Sequence, residues 1–410
     1  MVMKMKALLL TGSLSLVLLS GCGGYDNEDK NVVGANKLVA PPELLFDINA
    51  SVMQQAIAAN LGITDKPAFG IKGYKIIYRS IDDKGNDVNI SGLITVPVPT
   101  AQILAGLKSQ GKNYTMSIVS DQHGTIFPDY EAPTSAAALT HQPYGAGIIF
   151  SSVAGFMTLQ PDYIGFGASK GTPHPYLLEK SSANTVIDML DAALKFGNDA
   201  NLPLNGQVYL TGYSEGGYVT LAAAKEIENN HHDLTLKGVA PMSGPYDLGL
   251  TGLGVLSADM MGRPDFIGGI IYAYAHANDL ALDKMVQEPY ATLLPTLYDG
   301  QKTGEQIRAQ LTESVSDFFI PAYRGDFLQN PANELRTLFV QNSVNDYKPK
   351  TDTRLYYCSG DSVIPAVIAT TSATKMGITA INIDPTKDHA ECAVPAYGAV
   401  ANWFVELRSK

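Results

Sequence analysis

Short runs rich in β-branched and aromatic residues alternate along the chain with longer stretches that repeat apolar residues every three or four positions. Gly73–Ser80 and Asp87–Pro97 flank the polar segment Asp82–Asn86 and predict two strands joined by a hairpin turn. Tyr114–Ser120, Phe156–Tyr163, Val208–Thr211, Leu236–Ser243, Thr353–Cys358 and Ile378–Ile383 predict further strands. Between them, Ser182–Phe196 and Tyr218–Ile227 carry an apolar stripe at helical spacing, and a last helix runs to the C-terminus. This alternation predicts an α/β fold, a mostly parallel sheet with helices on both faces. From Leu248 to Asn345 the alternation stops and the segment predicts helices at Asp265–Leu280, Lys284–Tyr298, Glu305–Leu311 and Ala332–Val344. The expected organisation is therefore a core of residues 51–248 and 346–410 interrupted by a helical cap at 249–345. Ile270, Ile271, Tyr272 and Tyr274 are candidates to line an apolar pocket beneath that cap, packing on the core being the alternative for each. Residues 41–66, starting from Pro41-Pro42, are expected to be helical and loosely attached.

The stretch around which the rest is arranged is Gln207–Gly217, Q-V-Y-L-T-G-Y-S-E-G-G. It predicts a buried strand, a sharp turn at Ser214 and a helix. A serine presented from such a turn needs small neighbours, which Gly212 and Gly216 supply, while Gly217 allows close helix packing. A second G-x-S-x-G lies at Gly167–Gly171 and serves as an internal control. Pro173 and Pro175 follow it closely and exclude an immediate helix, so Ser169 is expected in a loop. Context selects Ser214 as the candidate nucleophile.

A serine hydroxyl needs a base, and the base needs a group that fixes its tautomer. Asp361, in Ser359-Gly-Asp-Ser-Val-Ile-Pro365, follows a strand directly, where active sites of parallel sheets lie; a helix N-cap is its structural alternative. His389, in Lys387-Asp-His-Ala-Glu-Cys392, is the one histidine after Asp361. His231 and His232 sit in a polar linker, and His174 and His276 stay ambiguous. Cys358 and Cys392 stand three residues before the aspartate and three after the histidine, so a disulfide between them would tie both loops together. Closing a loop of about 34 residues contributes roughly 3–4 kcal/mol. Two backbone N–H groups are also needed for a developing oxyanion: one from Glu215, the other from Gly124 or Thr125 after the third strand. An ordinary turn is the alternative for His123-Gly124.

Taken together, Gly212-Tyr-Ser-Glu-Gly-Gly217, Pro161-Asp-Tyr-Ile-Gly-Phe-Gly167 with His174-Pro-Tyr-Leu177, His123-Gly-Thr125 and Asp361-Ser-Val-Ile-Pro365 resemble the α/β-hydrolase superfamily. The likeness is strongest to its secretory-lipase branch, over about residues 70–248 and 350–410. It implies the α/β-hydrolase fold and carboxylic-ester hydrolysis without a cofactor or metal, with Ser214, Asp361 and His389 as the triad.

The first residues add a location. Lys4 and Lys6, the apolar run Ala7–Leu19 and the lipobox-like Leu19-Ser20-Gly21-Cys22 predict a signal peptide at 1–21 and lipid on Cys22. Residues 22–50 are expected to form a flexible tether, which makes the product an exported envelope lipoprotein whose membrane contact runs through Cys22. The formal charge of −11 becomes −13 once Lys4 and Lys6 are removed, and so acidic a body is a poor partner for nucleic acid. A small-molecule ester is the expected substrate. A serine exopeptidase on the same fold and a non-catalytic binding protein are the rival readings.

Overall fold

The computed structural model describes residues 37–230 and 234–409. Cys22 with its lipobox, and His231 and His232, lie outside the described residues. Among the described residues nine strands form one sheet: β1 (Glu43–Ile48), β2 (Gly70–Ile81), β3 (Asp87–Val98), β4 (Met116–Gln122), β5 (Met157–Pro161), β6 (Leu204–Tyr213), β7 (Thr235–Met242), β8 (Arg354–Cys358) and β9 (Thr379–Asp384). Their order is β1-β2-β3-β5-β4-β6-β7-β8-β9. The pairs from β1 to β5 are antiparallel, and those from β5 through β4 to β9 are parallel. This is the α/β-hydrolase arrangement. The β2–β3 turn closes as expected: the Asp82 carboxylate accepts from Lys84 N–H and Asn86 N–H, and Gly85 sits at φ +85°.

Consecutive residues of the central strands point into different cores, because a strand alternates its side chains across the sheet. Ile118, Val208, Leu210 and Val239 face the helices Glu179–Asp199 and Glu215–Asn230. Val119, Tyr209 and Ala240 face the final helix, His389–Arg408, through Ala396, Val400 and Phe404. Both faces are covered, so the carboxyl ends of the parallel strands are where side chains gather toward a ligand.

Three expectations are corrected. Residues 41–66 are not one helix, and 22–50 is not tether throughout: Glu43–Ile48 is an edge strand paired with β2, and the helix is Ala50–Leu61. The Phe46 ring lies over Gly73, where a Cβ would come within 2.1 Å of it, and Asn49 caps the helix that follows. Lys284–Tyr298 is likewise two helices, Leu282–Met285 and Tyr290–Leu297. The backbone between them turns away to pair with another strand-like segment, Gln287 N–H donating to Phe318 O and Ile320 N–H to Met285 O.

Between β7 and β8 the chain forms eight helices and adds no strand to the sheet. Among the described residues no helix is long and apolar enough to cross a membrane.

Candidate active site

β6 ends at Tyr213 and the next helix starts at Glu215, so the whole change of direction falls on Ser214. Its φ is +60°, a conformation that costs a non-glycine residue on the order of 1–3 kcal/mol. Neighbouring backbone holds it there: Ser214 N–H donates to Met242 O at 2.9 Å, and Ser214 O accepts from Gly217 N–H at 2.9 Å. The glycines are steric necessities. A Cβ at Gly216 would stand 1.9 Å from Gln122 O, and one at Gly212 2.4 Å from Gly216 O. At the second motif, Gly167–Ser169 forms one short turn, and the buried Ser169 hydroxyl accepts from Gly165 N–H and donates to Phe166 O. That serine staples a loop.

The three residues expected to meet do so. His389 Nε2 lies 2.8 Å from Ser214 Oγ, and His389 Nδ1 lies 2.7 Å from Asp361 Oδ2. With a carboxylate at Nδ1, the proton sits on that nitrogen and Nε2 is free to accept from the serine. Asp361 is buried, and its other oxygen accepts from Val363 N–H and Ile364 N–H at 2.9 and 2.8 Å. The carboxylate thus holds its own loop as well as the imidazole. His389 opens the final helix behind its cap Asp388, and its carbonyl accepts from Tyr213 OH at 2.7 Å. Cys358 and Cys392 form a disulfide that joins the aspartate's strand to the histidine's helix.

Of the oxyanion candidates, Glu215 is the first residue of its helix, a position whose N–H has no intrahelical acceptor. Gly124 lies directly against the nucleophile: a Cβ there would be 3.5 Å from Ser214 Cβ and 3.2 Å from Tyr213 O. The Thr125 hydroxyl is held by a 2.6 Å hydrogen bond to that of Tyr176.

Behind this loop lie two buried acids. Asp121 accepts from Gln160 Nε2 and from Tyr397 OH, and burial pushes its pKa up to about 6. Asp162 accepts from Ser91 Oγ, Thr134 N–H and Thr134 Oγ1, and burial raises its pKa too. The His123 ring stacks on Tyr163 at 4.0 Å, and burial lowers its pKa.

The family model described as secretory lipase matches residues 130–406. The chain belongs to the secretory lipase family. It is accordingly a carboxylic ester hydrolase. Among solved structures, a Legionella pneumophila protein superposes with a TM-score of 0.79 at 24% identity, over 90% of this chain and 98% of that one. The rice cell wall degrading esterase LipA from Xanthomonas oryzae gives 0.76 at 22% identity, over 92% and 98%. Candida antarctica lipase A in its closed state gives 0.63 at 14%, over 90% and 81%. No curated protein sequence matches.

In this secretory lipase a cavity of about 270 Å³ opens beside the oxyanion candidates, lined by Thr125, Phe127, Phe166, His174, Tyr272 and Tyr298 among others. Ser214 is not among its lining residues. Of the cap residues expected to line a pocket, Tyr272 does, whereas Ile271 and Tyr274 are buried and Ile270 packs on the core. Sequence reasoning gave no role to the Glu215 side chain and left His174 ambiguous. Here His174 Nε2 lies 2.8 Å from Glu215 Oε1 and His174 Nδ1 lies 2.8 Å from Ile164 O. The only signal in the sequence was that His174-Pro-Tyr follows closely on the Pro161–Gly167 motif, which names no partner.

Proposed function

We propose that this enzyme cleaves carboxylic esters through an acyl-enzyme formed on Ser214. His389 takes the serine proton as Ser214 Oγ attacks the ester carbonyl and returns it to the leaving alcohol. Asp361 fixes the imidazole tautomer and stabilises the imidazolium, and water then releases the acyl group by the same route. The N–H groups of Glu215 and Gly124 or Thr125 receive the oxyanion. The observation that carries this reading is the unbroken hydrogen-bonded chain from Ser214 through His389 to Asp361, ending on a serine held at positive φ. The helices of 249–345 act as a cap over the substrate, and a lipid on Cys22 anchors the exported enzyme to a membrane.

The test is hydrolysis of p-nitrophenyl esters from acetate to palmitate by the purified protein and by Ser214→Ala, beside an aminoacyl p-nitroanilide panel. Ester turnover by the wild type that is lost in Ser214→Ala supports the proposal. Amide turnover with little ester activity makes it an exopeptidase, and silence on both panels leaves a binding protein.

A further inference from the structure

The His174–Glu215 pair holds a proton that hydrogen-bond geometry alone locates. Ile164 O can only accept, so His174 Nδ1 must carry hydrogen. His174 Nε2 faces a carboxylate oxygen at 2.8 Å, and an ionised carboxylate also only accepts. One more proton must therefore lie between Nε2 and Oε1. The pair is neutral as a whole, where an unprotonated imidazole beside the carboxylate would carry a full negative charge.

The position makes that charge matter. Glu215 follows Ser214 directly, its side chain is buried, and its own N–H is an oxyanion candidate, so the charge of the pair sits within one residue of the nucleophile. The other titratable groups that feel its field supply no compensation. Tyr163, Tyr176 and Tyr218 are pushed well above the usual phenol range by burial and stay neutral, and burial holds His123 below the usual histidine range. Arg263 and Asp265 act in opposite senses on Tyr176, and Arg263 is paired to Asp265 through two nitrogens.

We propose that His174 is a positioning residue for ester hydrolysis, binding a proton against Glu215 so that the oxyanion forms beside a neutral pair and the loop Pro161–Leu178 stays clamped to the nucleophile turn. The clamp is tight on the loop side as well: Gly165, at φ +99°, packs so closely that a Cβ there would lie 2.9 Å from His174 Cα. The proposal rests on the esterase reading, because it assigns the pair to that reaction's transition state.

The experiment is a double-mutant cycle on ester turnover with His174→Gln, Glu215→Gln and the double variant. Glutamine at 174 keeps a donor and cannot carry the proton, which leaves Glu215 charged. The expected loss for His174→Gln is roughly 10- to 100-fold in kcat with little change in KM, below the 10²–10³ of a missing oxyanion donor. In the Glu215→Gln background, where no charge needs cancelling, the same change costs less than about threefold. Equal losses in both backgrounds, or no loss in either, overturn the proposal. If His174→Gln does not fold, the wild-type protein decides by NMR: a strongly downfield histidine proton that survives Ser214→Ala and vanishes in Glu215→Gln supports the shared proton. The absence of such a resonance contradicts it. Wild-type protein without ester turnover removes the esterase reading instead, and the NMR result still stands on its own.

Discussion

Asp361 serves two masters, and the two effects separate by measurement. Its Oδ2 orients His389 while its Oδ1 accepts the Val363 and Ile364 amides. Asparagine preserves the volume and one accepting oxygen but presents the wrong pattern to the imidazole. Asp361→Asn should lower kcat by about 10³–10⁴. Thermal melts should show a much smaller effect on the fold, and a variant retaining more than a tenth of wild-type kcat would contradict the assignment. At this scale the sequence was informative wherever chemistry required a fixed order. Ser214, Asp361 and His389 occur in the order serine, acid, histidine, each just after a strand, and the structure brings all three together. His174 and Glu215 obey no such order. They lie 41 residues apart, both types are common in unrelated roles, and only the folded loop shows that each completes the other.

Among elements, the turn at Ser214 is built by exclusion of side chains rather than by attraction. Gly216 leaves no space for a methyl group, since its virtual Cβ would be 1.9 Å from a backbone oxygen of the neighbouring strand's end. Gly216→Ala should cost about 3 kcal/mol and ester activity with it. Gly106, inside the helix Ala101–Ser109 with nothing within 4 Å of its virtual Cβ, provides the contrast. Gly106→Ala should stabilise by about 0.5–1 kcal/mol. Denaturant unfolding of both variants checks this, and a harmless Gly216→Ala would remove the steric account. The motif glycines were legible in the sequence because they sit in a run with strand before and helix after. Glu43–Ile48 was not, since an edge strand draws on the open side of β2 for its pairing and shows little of its own periodicity. The break in Lys284–Tyr298 was hidden for a similar reason: its cause is backbone pairing with residues some thirty positions away.

For the molecule as a whole, parallel strands, a sheet covered on both faces and one disulfide converge on the same end of the structure, where β4, β6, β8 and β9 deliver their loops. Asp121 is one of the two buried acids that couple this region to pH. It meets Tyr397 of the final helix, and its pKa in the folded protein is raised from 3.8 to about 6. Folding therefore favours the protonated form. Its contribution is most favourable at low pH, and stability is lost as pH rises from about 4 through about 6, by up to about 3 kcal/mol. The stability difference between wild type and Asp121→Asn should change across that window and level off above it, and a difference that stays flat from pH 4 to 7 would contradict the shift.

The central claim is that Ser214 carries the acyl group. Stopped-flow mixing of the enzyme with a p-nitrophenyl ester, quenched and mapped by mass spectrometry, addresses it directly. The account predicts a burst of p-nitrophenol stoichiometric with enzyme and an acyl adduct on the peptide containing Ser214, both lost in Ser214→Ala. An adduct on another residue, Ser169 of the second motif included, or a burst that persists without the Ser214 hydroxyl, would contradict it.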